Sequence, residues 1–192
     1  MRWTEALEEI QLAGQLALNA PMVHVTLGWF LYFTGDVDGA IKANEETASL
    51  YRDFPIAYLI LGLAYEAAGR YSDAIDAFNT SFGMDNRPTP LAALAHAYAI
   101  SGKKGKAEQT LGRLLSLKKT ELVSPYFAAL VNVGLGKLDE TFSLLEEARG
   151  QRCDWLIQMG VDPRWKPLHG NPRFAKLLRR VGVCLPSDRR PV

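Results

Sequence analysis

Much of what would announce chemistry is missing from this chain. It holds two cysteines in 192 residues, Cys153 and Cys184, 31 apart and without metal-ligand spacing. They read as reduced thiols of a cytoplasmic protein, with a disulfide or redox pair as the other reading. Lys and Arg number 22 against 21 Asp and Glu, a formal charge of +1 that offers no general drive toward nucleic acid or anionic lipid. No run of 18 apolar residues occurs, so no membrane-spanning helix is expected. The opening MRWTEALEEIQLAG places two adjacent glutamates where a signal peptide needs an apolar core.

Catalytic groupings are absent too. His24, His96 and His169 do not share a helix at metal spacing, and no cysteine lies near them, so neither metal nor cofactor is expected. The glycines at 35, 69, 102 and 136 are isolated, and no phosphate-cradling G-x-x-x-x-G-K-[ST] occurs. Adjacent acids such as Glu8-Glu9, Glu45-Glu46 and Glu146-Glu147 diverge around a helix and form solvated faces. Lys103-Lys104-Gly105-Lys106 serves solubility first, and a contact to an acidic partner second. No nucleophile stands beside a base. The expectation is a protein that is not an enzyme.

What is present is repetition. LGWFLYFTGDVDGAIKAN (27–44), LGLAYEAAGRYSDAIDAF (61–78), LAHAYAISGKKGKAEQTL (94–111) and AALVNVGLGKLDETFSLL (128–145) succeed one another at steps of 34, 33 and 34 residues. Small residues recur at Gly28, Gly62, Ala95 and Ala129, turn glycines at 35, 69, 102 and 136, then Ala40, Ala74, Ala107 and Thr141. Apolar residues at helical spacing on either side of each turn glycine make every unit a helix pair. Prolines 21, 55 and 88 open three first helices, and Pro125 falls a few residues into the fourth. The small residues let the paired second helix approach, with large ones at 65, 78 and 82 around the crossing.

This arrangement resembles the tetratricopeptide repeat, best over residues 55–88, where Tyr58, Leu61, Gly62, Tyr65, Gly69, Ala74 and Phe78 occupy the pattern's positions. Asn44, Asn132 and Thr141 depart from it. The resemblance implies an all-α fold, a right-handed α-solenoid of helix–turn–helix repeats with a C-terminal capping helix. The expected organisation is a second helix of a partial repeat at 1–20, four units at about 21–54, 55–87, 88–121 and 122–150, a capping segment at 151–184, and a disordered tail at 185–192. A lone second helix is a poor solenoid cap, so the chain is expected to be the C-terminal part of a longer protein. After Gly150 the period is expected to stop. Asp162-Pro163-Arg164-Trp165 and Asn171-Pro172-Arg173-Phe174 then open the capping elements. That ending resembles the C-terminal halves of bacterial multidomain signalling proteins, which join such arrays to a winged-helix, nucleotide-cyclase or Ser/Thr-kinase domain.

In such arrays the first helices line a concave face that holds ligands. Carried onto this chain, the resemblance assigns Met22, Val25, Trp29, Tyr32 and Phe33 to that face, followed by Ile56, Leu59, Leu63 and Glu66. Ala92, His96 and Ile100 come next, then Tyr126, Leu130 and Val133. None is basic, which argues against a clamp for acidic peptide tails. The expected partner is a protein or peptide with an apolar face, laid in the groove as a helix or extended segment. A homodimer built on the same face, packing within a longer chain and an aliphatic small molecule are the other readings.

Overall fold

The computed structural model describes residues 3–17, 19–117 and 123–185. The expected end of the third unit near 121 and nearly all of the expected tail lie outside them. The described residues hold ten α-helices, two 3₁₀ helices and no strand, so the chain is all-α. They divide between two compact units, Met1–Pro90 and Leu91–Val192.

Unit 1 contains α1 (Trp3–Leu16), α2 (Pro21–Thr34), α3 (Val37–Leu50), α4 (Pro55–Ala67) and α5 (Tyr71–Asp85). Each packs on the next in sequence, and α2 also packs directly on α4. The steric reading of the small residues holds. A Cβ on Gly62 would lie 2.5 Å from Cε1 of Phe78, and one on Gly28 would overlap the Asn44 amide. Phe78 and Ala74 are fully buried at that crossing. Asn44, standing where an aromatic is expected, fills the Gly28 hollow instead. Its Nδ2 donates to the Ala40 carbonyl at 2.7 Å, while Oδ1 is buried without a hydrogen-bond partner among the described residues.

Unit 2 takes in most of α6 (Pro88–Ile100), then α7 (Lys104–Leu117), α8 (Pro125–Gly134) and α9 (Leu138–Gly150). The 3₁₀ helices Asp154–Gly160 and Pro163–Leu168 follow, and α10 (Pro172–Val181) closes it. Pro125 opens α8 outright, with Ser124 as N-cap accepting from the Tyr126 N–H. The four inter-helix turns are one device repeated. Gly35, Gly69, Gly102 and Gly136 have φ from 74° to 88°. The residue after each glycine donates its N–H back to a carbonyl of the preceding helix, as Arg70 does to Tyr65 at 2.9 Å. Only glycine adopts that φ without strain.

Beyond Gly150 the turn device is not repeated, since Gly170 does not take a positive φ, but the 34-residue step leaves a trace. Gly170 and Ala175 lie 34 residues after Gly136 and Thr141, and α10 begins 34 after α9. Ahead of the capping helix α10 the segment forms two short 3₁₀ pieces where a first helix would stand. Pro163 opens the second piece and Pro167 sits inside it, and neither can donate to a continuous α-helix. Asp162 and Asn171 cap as expected, accepting from the N–H groups of Arg164 at 3.0 Å and Arg173 at 2.9 Å.

Candidate functional site

The first helix of a pair presents one side to its partner and one to the opposite face, and helical spacing decides which residues fall where. On α2, the turn spacing of Met22, Trp29 and Phe33 leaves them at the surface of unit 1. Met22 is 48% exposed, and the half-buried Trp29 and Phe33 stack with ring centroids 5.7 Å apart. On α4, Ile56 and Leu59 are half-buried. All five lie on two first helices that pack directly on each other. Single exposed apolar residues are ordinary, but a stacked aromatic pair left partly open is the composition of an interface anchor.

The remaining assignments on unit 1 are corrected by burial. Val25 is fully buried, and Tyr32, Leu63 and Glu66 are no more than 6% exposed. Tyr32 tilts against Phe33 at 5.2 Å and supports it from beneath. These residues hold the surface in place and do not offer it.

In unit 2 the assigned positions are almost wholly covered. Ala92, His96, Tyr126, Leu130 and Val133 are buried, which leaves Ile100, 36% exposed, as the accessible one. His96 packs on α8, where a Cβ on Gly134 would meet its Cδ2 at 3.0 Å. Tyr126 is covered by the chain's own carboxy-terminal segment. The indole N–H of Trp165 donates to the Tyr126 hydroxyl at 3.0 Å, and Trp155 and Phe127 lie against the ring. Burial, followed by the nearby Asp162 charge, holds the Tyr126 phenol well above the usual range. Trp165 in turn stacks on Phe174 of α10. The covering segment is legible in hindsight from Gly170 and Ala175, which keep the 34-residue step.

Two polar arrangements hold these surfaces. In unit 1 the Tyr65 hydroxyl on α4 donates to Glu45 on α3 at 2.6 Å, and Arg70 lies 4.3 Å over the Tyr65 ring while pairing with Asp73. Burial and the Glu45 bond push the Tyr65 phenol up to about 12. In unit 2, Asp162 is 1% exposed and accepts from the Arg164 guanidinium at 3.0 and 3.1 Å, a nearly buried pair inside the carboxy-terminal segment. Among the described residues no group of three or more His, Cys, Asp or Glu side chains is placed to hold a metal.

Residues 56–88 match the model of the tetratricopeptide repeat. Lipopolysaccharide assembly protein B of Escherichia coli K12 is 34% identical over 134 residues, covering 65% of this chain and 34% of that protein. The protein of that name from Escherichia coli O157:H7 matches to the same extent. The chain thus spans about a third of the length of these curated relatives. Among solved structures, a thermophilic tetratricopeptide protein of Thermus thermophilus superposes with a TM-score of 0.66 at 20% identity, over 80% of this chain and 85% of that one. MamA superposes with a TM-score of 0.56 at 20% identity, over 78% and 88% of the two chains. Residues 56–88 are thus a tetratricopeptide repeat, and the helix pairs around them share the α-solenoid fold of such arrays.

Proposed function

We propose that the chain is a non-catalytic module that holds a protein or peptide on the first-helix face of unit 1, through Met22, Trp29, Phe33, Ile56 and Leu59. One observation carries the reading. Of the first-helix positions, Met22, Trp29, Phe33, Ile56 and Leu59 on α2 and α4 keep aromatic and aliphatic surface partly open, whereas in unit 2 Ile100 alone of the assigned residues is accessible. The tetratricopeptide fold supports a role in protein–protein interaction. A face without basic residues suits an apolar segment, laid down as an amphipathic helix or extended chain. Because the helices are already packed, little ordering cost opposes binding.

The setting we propose is a bacterial regulatory protein of the cytoplasm, with the helix pairs dividing into units as the 34-residue period sets them. The likeness of the carboxy-terminal Asp-Pro-Arg-Trp and Asn-Pro-Arg-Phe pieces to bacterial signalling arrays supports the first part. Two free cysteines fit the second. Among the described residues no helix is long and apolar enough to cross a membrane. The match to lipopolysaccharide assembly protein B favours a second setting, as the helical part of a protein that serves assembly.

Selection of binders from a displayed library of amphipathic peptides tests the function. The reading expects enriched sequences with apolar residues at i and i+4, and at least about a tenfold loss of binding for Trp29→Ala/Phe33→Ala. Ile100→Ala, in unit 2, should bind as the parent does. Peptides that bind both variants equally, or no enrichment, would defeat it.

A further inference from the structure

The near-zero net charge conceals a division that follows the two structural units. Unit 1 carries 12 Asp and Glu against 5 Lys and Arg, a formal −7, while unit 2 carries 9 against 17, a formal +8. Internal pairing does not erase the difference. In unit 2, Asp139 holds Arg173, Glu146 holds both Arg149 and Arg180, Glu108 holds Lys137 and Asp162 holds Arg164. Four of its nine acids are thereby occupied by five cations, and exposed cations are left over. Lys103, Lys176 and Arg179 have no ion-pair partner among the described residues. In unit 1, Arg70 and Arg87 are taken by Asp73 and Asp85. Glu8, Glu46 and Asp76 are exposed without a cation among the described residues.

We infer that two copies of the chain pair with each other, the acidic unit 1 of each against the basic unit 2 of the other. A polyanion drawn to unit 2 would be repelled by unit 1, and a polycation the reverse. A body that satisfies both must carry both signs in nearly equal amount, and a second copy does. Matching the two units twice over gives a self-complementary contact that closes at two chains. Charge complementarity of this kind sets partner and orientation and is weakened by salt. The contact uses exposed polar faces and leaves the apolar surface on α2 and α4 free, so it is independent of the function proposed above.

Sedimentation velocity of the full chain at two ionic strengths tests it. Between about 10 mM and about 150 mM the screening length falls from about 30 Å to about 8 Å. The dimer, at twice the 21.3 kDa chain mass, should dominate at the lower value, and its dissociation constant should rise by about tenfold or more at the higher one. Glu8→Lys/Glu46→Lys/Asp76→Lys and Lys103→Glu/Lys176→Glu/Arg179→Glu should each sediment as single chains with parental circular dichroism. Mixed together they should regain a dimer, because one strongly matched contact survives. Trp29→Ala/Phe33→Ala should dimerise as the parent does. A single-chain mass at both ionic strengths, a dimer indifferent to salt, or a chain that stays single while unit 2 takes up heparin would overturn the inference.

Discussion

Gly62 and Phe78 test the packing logic most sharply, because ordinary helix propensity predicts the opposite sign. Replacing a mid-helix glycine by alanine normally stabilises by about 1 kcal/mol. Here the added methyl would sit 2.5 Å from Cε1 and 2.6 Å from Cδ1 of a fully buried ring. Overpacking of that kind costs about 1–3 kcal/mol, which cancels or outweighs the propensity gain. Phe78→Ala alone should cost about 3–5 kcal/mol through the cavity it leaves. In that background the methyl at 62 meets empty space and partly fills it. Gly62→Ala should then stabilise by about 1 kcal/mol. The two substitutions should therefore couple by about 1–3 kcal/mol, read from a double-mutant cycle of urea unfolding followed by circular dichroism. If Gly62→Ala stabilises the parent chain as much as it does the Phe78→Ala variant, the ring does not set the requirement for glycine.

Three further outcomes follow from particular contacts. Arg164→Ala strands the buried Asp162 carboxylate and should cost about 3–5 kcal/mol in unfolding experiments, whereas Lys176→Ala on the exposed face of α10 should change little. Asn44→Leu removes a buried, unpartnered Oδ1 and should raise stability by about 1–2 kcal/mol, seen as a higher Tm; a lower Tm would show that the amide is needed in the Gly28 hollow. The Tyr65 phenol titrates near 12 in the fold against an ordinary value near 10, so the neutral form is the one the fold favours. Its contribution is complete below pH 10 and is lost as pH rises toward 12, so Tyr65→Phe should flatten part of the alkaline loss of stability in that window.

The helix pairs were legible because their signals are local: a glycine at each tight turn, a small residue at each crossing, and prolines at helix starts. The two 3₁₀ pieces of the carboxy-terminal segment were harder to see, since prolines 163 and 167 stand where a regular first helix would need N–H donors, and only Gly170 and Ala175 keep the 34-residue step. The surface was legible only in part. Position in a repeat says which way a residue points, not what stands over it. Trp165, 39 residues away, is what covers Tyr126, and such long-range contacts leave no local mark. The opposed charges of the two units are plainly written in the sequence, but they cancel in the total until a boundary at Pro90 separates them.

Whether unit 1 holds an apolar segment on α2 and α4 can be read most directly from methyl NMR of a chain labelled at Met and Ile, titrated with a library-selected peptide. Binding as proposed shifts the Met22 and Ile56 methyls and leaves those of Ile100 and Ile157 in place. Shifts centred on Ile100 or Ile157, with Met22 and Ile56 unmoved, would contradict it.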